Sequence, residues 1–195
     1  MTDALSTPLP HPLRDPALIA RLRARRSAPA QGLAAPGPSA EEMETILEIG
    51  LRSPDHGKLF PWRLVVIGPE TKAVWVAALS EMAATDKARA VLGKLARPPA
   101  TVMVVSVPVE SASVPQWEQE LSAGALCMNL AHAANALGYA TSWITDWYAY
   151  DARARALMGV GEGETVAGFV HMGTAAEPLL ERPRPEVGAK VERRP

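Results

Sequence analysis

Hydrophobic positions along this chain change their spacing from segment to segment. Met43, Ile46, Leu47, Gly50 and Leu51 recur at i, i+3, i+4, i+7 and i+8, which marks one face of an amphipathic helix. Ser39 and Glu42 open that helix as a capping box. Ser53-Pro54 ends it, because a residue before proline is pushed out of the helical region. Thr101–Val107 is instead a continuous apolar, largely β-branched run, as expected for a strand buried on both faces.

The same reading extends to the rest of the chain. A helix is predicted from Pro16, with Asp15 as its cap, to about Arg26; residues 28–38 and 53–61 read as loops, and 62–67 as a strand. Residues 70–96 read as helix in one or two pieces, broken near Thr85-Asp86. The longest helix is predicted over 115–138, strands over 139–145 and 165–172, and a short helix over 151–158. Residues 1–14 are expected to be extended or disordered because of Pro8, Pro10 and Pro12, and residues 15–195 to form a single domain with an extended, Pro- and Arg-rich C-terminal tail. Strands and helices alternate, so the layout is α/β or α+β, with helices covering a central sheet. On the long helix, Ser122, Ala125, Asn129, His132 and Ala136 form a heptad stripe of small and polar residues. A solvent-facing strip and a close helix–helix contact at a subunit interface both fit that stripe.

Composition narrows the function classes. A length of 195 residues suits one domain. Twenty Lys and Arg against 21 Asp and Glu leave a net charge of −1, which argues against a nucleic-acid partner. The single Cys127 excludes an internal disulfide framework and a cysteine-rich zinc site. Residues 121–140 approach the length of a membrane span but carry Ser122, Asn129, His132 and Asn135, so they read as a buried helix, and a cytoplasmic protein without a membrane partner is expected. No dinucleotide-binding glycine turn, P-loop or serine-hydrolase elbow occurs. His11, His56, His132 and His171 are scattered without metal-ligand spacing, so neither a metal site nor a catalytic side chain is assigned.

Three short segments remain as candidate chemistry. Arg25-Arg26-Ser27 at a helix end offers two guanidiniums and a hydroxyl, a set suited to phosphate, although spacing alone fits a solvated basic helix end at least as well. Ser53–Trp62 is a loop carrying Asp55, His56 and Lys58 between prolines; it suits ligand contact, or is an ordinary loop with an exposed histidine. Trp143-Ile144-Thr145-Asp146-Trp147 at a strand end could wall a flat ring, or be core packing.

Taken in order, these segments resemble the nitroreductase family of flavin enzymes. The R-R-S helix end, a helix closing in R-S-P-D-H (Arg52 to His56), and P-W opening a strand carry the resemblance. Pro115–Gly124, Leu137-Gly138-Tyr139, the Trp143 segment and Gly168–Thr174 are similar to the compact bacterial subgroup. The resemblance implies a dimeric α+β fold with three layers, a central mixed sheet flanked by helices. It implies FMN bound non-covalently at the interface of a homodimer, with NADH or NADPH as co-substrate. Reducing equivalents would pass by a ping-pong route to nitro, quinone or enone-type small-molecule acceptors. Residue by residue, Arg25, Arg26 and Ser27 would hold the phosphate and ribityl end. Arg52 and His56 would reach the FMN across the interface. Trp143, Ile144 and Thr145 would lie along the flavin ring from the other chain, and Arg182 and Arg184 would complete the phosphate site. Different flavin chemistry on the same scaffold, such as dehalogenation or flavin fragmentation, or a non-catalytic flavin-binding role, is the alternative.

The chain departs from the family pattern in three places. Phe60 precedes the P-W where many relatives have a polar residue, Asp146 stands where glycine is frequent, and Ala28-Pro29 replace a lysine that often follows the first motif. An acid near the ring disfavours the anionic reduced flavin, so an altered potential or acceptor preference is expected from Asp146.

Overall fold

In the computed structural model, residues 8–111 and 113–194 are described. Residues 1–7, which belong to the segment expected to be extended or disordered, lie outside the described residues; residues 8–15 form neither helix nor strand. The elements in chain order are α1 (Pro16–Ala24), β1 (Leu33–Ala34), α2 (Ala40–Gly50), β2 (Trp62–Val66), α3 (Pro69–Met82), α4 (Asp86–Ala90), α5 (Gly93–Ala96), β3 (Ala100–Ser106), α6 (Gln116–Ala136), β4 (Ala140–Ile144), α7 (Ala152–Leu157) and β5 (Thr165–Ala175).

The local signals act as the chemistry dictates. Asp15 accepts from the Leu18 amide at the start of α1. Ser39 and Glu42 form the full reciprocal capping box of α2, and the Tyr139 hydroxyl adds a bond to the Glu42 carboxylate at 2.8 Å. The predicted 70–96 segment breaks at Thr85 as expected, where Thr85 caps a new helix through the Ala88 amide, and breaks again at Val91-Leu92, so it forms three helices rather than one or two.

The sheet order is β1-β5-β3-β2, with β4 also on β5. All strand pairings are antiparallel among the described residues. The sheet is therefore not mixed as expected; its one parallel element is an isolated bridge between Ser27 and Thr141. β4 and β1 occupy successive stretches of the same edge of β5: β4 pairs with residues 169–173 and β1 with residues 174–175. That second pairing carries β5 past its predicted end, and it makes a strand of two residues that read as loop.

Alternation along β3 explains the three layers. Val102 and Val104 face α2 and α6, packing with Ile46, Leu126, Leu130, Val170 and Met172. Met103 and Val105 face the opposite layer, with Trp75, Leu79, Leu95, Tyr148 and Phe169. A side-chain period of two thus places one apolar run in two cores. α2 and α6 approach closely at Gly50, where a Cβ would stand 2.5 Å from Leu130 Cδ2.

Candidate functional site

α1 stops at Ala24, two residues earlier than its pattern suggested, and Arg25 is already extended. The reason lies across the chain: the Ala28 amide donates to the Thr141 carbonyl at 2.8 Å and Ser27 bridges to Thr141, so the R-R-S segment is drawn onto β4 rather than continuing the helix. This places Arg26 and Ser27 beside Ser142 and Ile144 in one groove of about 660 Å³. The chain leaving β5, residues 175–182, and Lys94 of α5 line the same groove.

The tail ties itself to the same segment. Arg26 Nε donates to the Leu180 carbonyl at 2.8 Å and lies 3.8 Å from Glu181 Oε1. Arg184 donates to Glu181 Oε1 through Nε and to the Arg25 carbonyl through Nη2. The Arg182 amide, followed by the charges of Arg184 and Arg26, holds the Glu181 carboxyl below its ordinary range. Arg182 lines the groove, whereas Arg184 sits behind it as a strut. Arg25 turns to the other side of its backbone, where it shares a second hollow with His132 and Asn135 of α6. Burial and the Arg25 charge both push the His132 imidazole below its ordinary value.

Strand alternation splits the Trp143-Ile144-Thr145 segment. Ile144 faces the groove. Trp143 points to the opposite face of the sheet, where its Nε1 donates to the Ala167 carbonyl at 3.1 Å and its ring covers Gly168 and Gly124. The Thr145 hydroxyl is paired with Tyr150 at 2.6 Å, outside the groove lining. Ile144 shares the groove with Arg26 and Ser27 of its own chain, whereas the resemblance placed it on the ring from the other chain.

Arg52 and His56 lie elsewhere. They flank the end of α2 and the loop after it, and that loop is fastened to the first half of α6. Ser122 Oγ donates to the Pro54 carbonyl at 2.7 Å and accepts from Trp62 Nε1 at 3.0 Å. Asn129 donates to Ser53 Oγ at 3.1 Å, and His56 Nδ1 pairs with Glu118 Oε2 at 2.8 Å. Part of the small polar stripe on α6 therefore serves as an anchor for this loop. The loop is strained: Lys58 and Phe60 have positive φ of 57° and 48°, held by the Asp55 carboxylate, which accepts from the Leu59 and Phe60 amides. Such strain concentrates at functional segments. Glu118 and His132 contact the two residue sets at opposite ends of α6; fourteen residues of helix separate them by about 21 Å. One chain does not bring His56 to the Arg26 groove.

Two groups in the groove region were not legible as partners. Lys94 has no local motif to mark it, and it reaches the groove because α5 packs against α3 and the turn at residues 30–32. Asp146 is not the free acid expected near a ring: its Oδ2 accepts from Lys94 Nζ at 2.8 Å. Among the described residues no cluster of His, Cys, Asp and Glu could hold a metal ion, and no helix is long and apolar enough to cross a membrane.

Comparison with known proteins agrees with this architecture. The model of a family described as "Nitroreductase family" matches residues 22–174. A protein of Escherichia coli (strain K12) named "Putative NAD(P)H nitroreductase YdjA" is 35% identical over 158 residues, 77% of this chain and 84% of that protein. A Bacteroides fragilis nitroreductase solved with bound FMN superposes with a TM-score of 0.72 at 20% identity, covering 92% of this chain and 100% of that one. The NADPH:FMN oxidoreductase of Vibrio harveyi, solved with NAD+, has a TM-score of 0.74 at 16% identity, over 90% of this chain and 76% of that one.

Proposed function

The chain belongs to the nitroreductase family, and from that premise we propose that it is an FMN-dependent oxidoreductase working as a homodimer. The observation that carries the reading is the groove in which Arg26 and Ser27, Lys94 and Ile144 converge from three separate segments. Its donor set fits FMN: a guanidinium and a hydroxyl suit a phosphate, and an aliphatic side chain beside an ammonium suits a flat ring with polar edges. Only the Nε edge of the Arg26 guanidinium is held by the tail, so its outer edge is available for a bidentate anion contact. The volume of about 660 Å³ lies in the range of cofactor pockets.

Bound there, FMN would supply the redox chemistry that carries reducing equivalents from NADH or NADPH to a nitro, quinone or enone-type acceptor. The chain's own residues position: Arg26, Ser27 and Arg182 at the phosphate end, Ile144 and Lys94 along the groove. A single site serving donor and acceptor in turn would give ping-pong kinetics.

The homodimer reading rests on the divided site. His56 and Arg52 stand at the far end of α6, so a second copy is the means of presenting them to a groove. α1 buries none of its residues and exposes Leu18, Ile19 and Leu22. Phe60, Trp117 and Leu121 are likewise exposed around the His56 loop. Such apolar surface fits a subunit contact.

Gel filtration of the purified protein with added FMN tests the cofactor: retention of about one flavin per chain, bleached by NADH or NADPH, is expected, and no retention overturns the reading. The divided site is tested by mixing Arg26→Ala with His56→Ala. Each alone loses FMN retention, and subunit exchange restores about a quarter of the sites. No recovery places both residues on one site of one chain.

A further inference from the structure

Asp146 stands two residues past the end of β4, and both of its carboxylate oxygens are committed. Oδ1 accepts from the Trp147 amide at 2.8 Å, and Oδ2 accepts from Lys94 Nζ at 2.8 Å. The turn that carries it, Trp147–Ala149, is itself anchored. Trp147 Nε1 donates to the Ala88 carbonyl at 2.9 Å, and the Tyr148 ring is fully buried against Phe169. The carboxylate is therefore a fixed point, with its side chain 17% exposed against 37% for Lys94. Lysine carries a long flexible stem and would otherwise sweep a wide volume. Lys94 is also a cation in the groove wall, so the pair sets both where that positive charge stands and how much of it the groove feels.

We propose that Asp146 is a positioning and charge-balancing residue which, through Lys94, sets the reduction potential of a flavin held in this groove. The inference rests on the FMN reading above. A flavin gains negative character when reduced, so an uncompensated cation beside it favours the reduced form and an uncompensated acid opposes it. The Lys94–Asp146 pair holds these two effects near balance. The acid thus acts on the ring as half of a neutral pair.

Opposite signs make the test specific. In Asp146→Asn the Oδ1 acceptor for Trp147 survives, the turn is kept and Lys94 stands uncompensated. The reduced-to-oxidised flavin ratio at a fixed reference-dye potential is expected to rise about tenfold. In Lys94→Met the same ratio falls by about as much, and in the double variant it returns close to the wild-type value. The measurement is an equilibrium dye titration of FMN-loaded protein and involves no turnover. Shifts of the same sign in both single variants, or no shift in either while FMN is retained, overturn the proposal. Failure of the wild type to retain FMN overturns the cofactor reading instead. A merely structural role for the pair would lower stability in the single variants and leave the flavin ratio unchanged, which overturns the proposal.

Discussion

The indole of Trp143 occupies the space that a side chain on Gly168 would need. A Cβ at Gly168 would lie 2.1 Å from Trp143 Nε1 and 2.4 Å from Cδ1. Glycine here is thus required by a neighbour on β4, at a position of β5 where strand propensity would favour a larger residue. Gly168→Ala is expected to lift Trp143 from the sheet and break its bond to Ala167. Overpacking of this kind costs about 1–3 kcal/mol. Urea unfolding followed by tryptophan fluorescence checks both consequences, and an unchanged midpoint with an unchanged emission spectrum is the contrary result.

Arg26 and Arg25 are adjacent but not equivalent. Arg26 lines the groove, while Arg25 turns toward His132 and only reaches Ser27 Oγ at 3.4 Å. Arg26→Ala is expected to weaken FMN binding about tenfold or more, as loss of a charge-assisted contact does, and Arg25→Ala less. Fluorescence titration of FMN measures both, and the ranking reverses if Arg25 is the phosphate ligand.

His171 makes the fold sensitive to acid. It is fully buried, with Nδ1 paired to Thr101 Oγ1 at 2.9 Å and Nε2 without a partner. Burial, with the nearby Lys72 charge, pushes its pKa from 6.5 down to about 3. Between those values the unfolded chain takes up a proton that the folded chain refuses. Its contribution to stability is therefore full above about pH 6.5 and is lost as pH falls toward 3, by about 1.4 kcal/mol per pH unit. In His171→Gln the acid limb of stability against pH flattens by about one proton. Denaturant melts between pH 4 and 7 decide the matter, and an unchanged slope would contradict it.

Ser122 is the fastener of the His56 loop. Ser122→Ala leaves the Pro54 carbonyl and Trp62 Nε1 without their partner. Loss of a part-buried hydrogen-bond pair costs about 1–3 kcal/mol. If the loop contributes to the cofactor site, FMN retention falls with it while the groove residues are untouched. Intact retention in a destabilised Ser122→Ala protein would separate the loop from the site.

Much of the fold was legible in the sequence because its signals are local. The capping box at Ser39 and Glu42, the helical spacing from Met43 to Leu51 and the apolar run of β3 each specify their element from neighbouring residues alone. The errors fall where distant pairing overrides local preference. Arg25 and Arg26 continue a helical pattern, yet the pairing of Ser27 and Ala28 with Thr141 draws them into an extended segment. Leu33–Ala34 read as loop until β5 supplies a partner.

The site divides in the same way. Sequence order alone marked Arg25 to Ser27, Arg52, His56, Trp143 to Thr145, Arg182 and Arg184 as residues of interest, because short motifs in a given order need no coordinates. Which of them share a groove was decided only in three dimensions. The period of two along β4 sends Ile144 one way and Trp143 the other. The length of α6 keeps His56 away from Arg26 within one chain. Lys94 stands 52 residues from Asp146, and no pattern along a chain encodes such a pair: their charges meet only because the fold packs α5 against α3 and the turn at residues 30–32, within reach of the turn that follows β4.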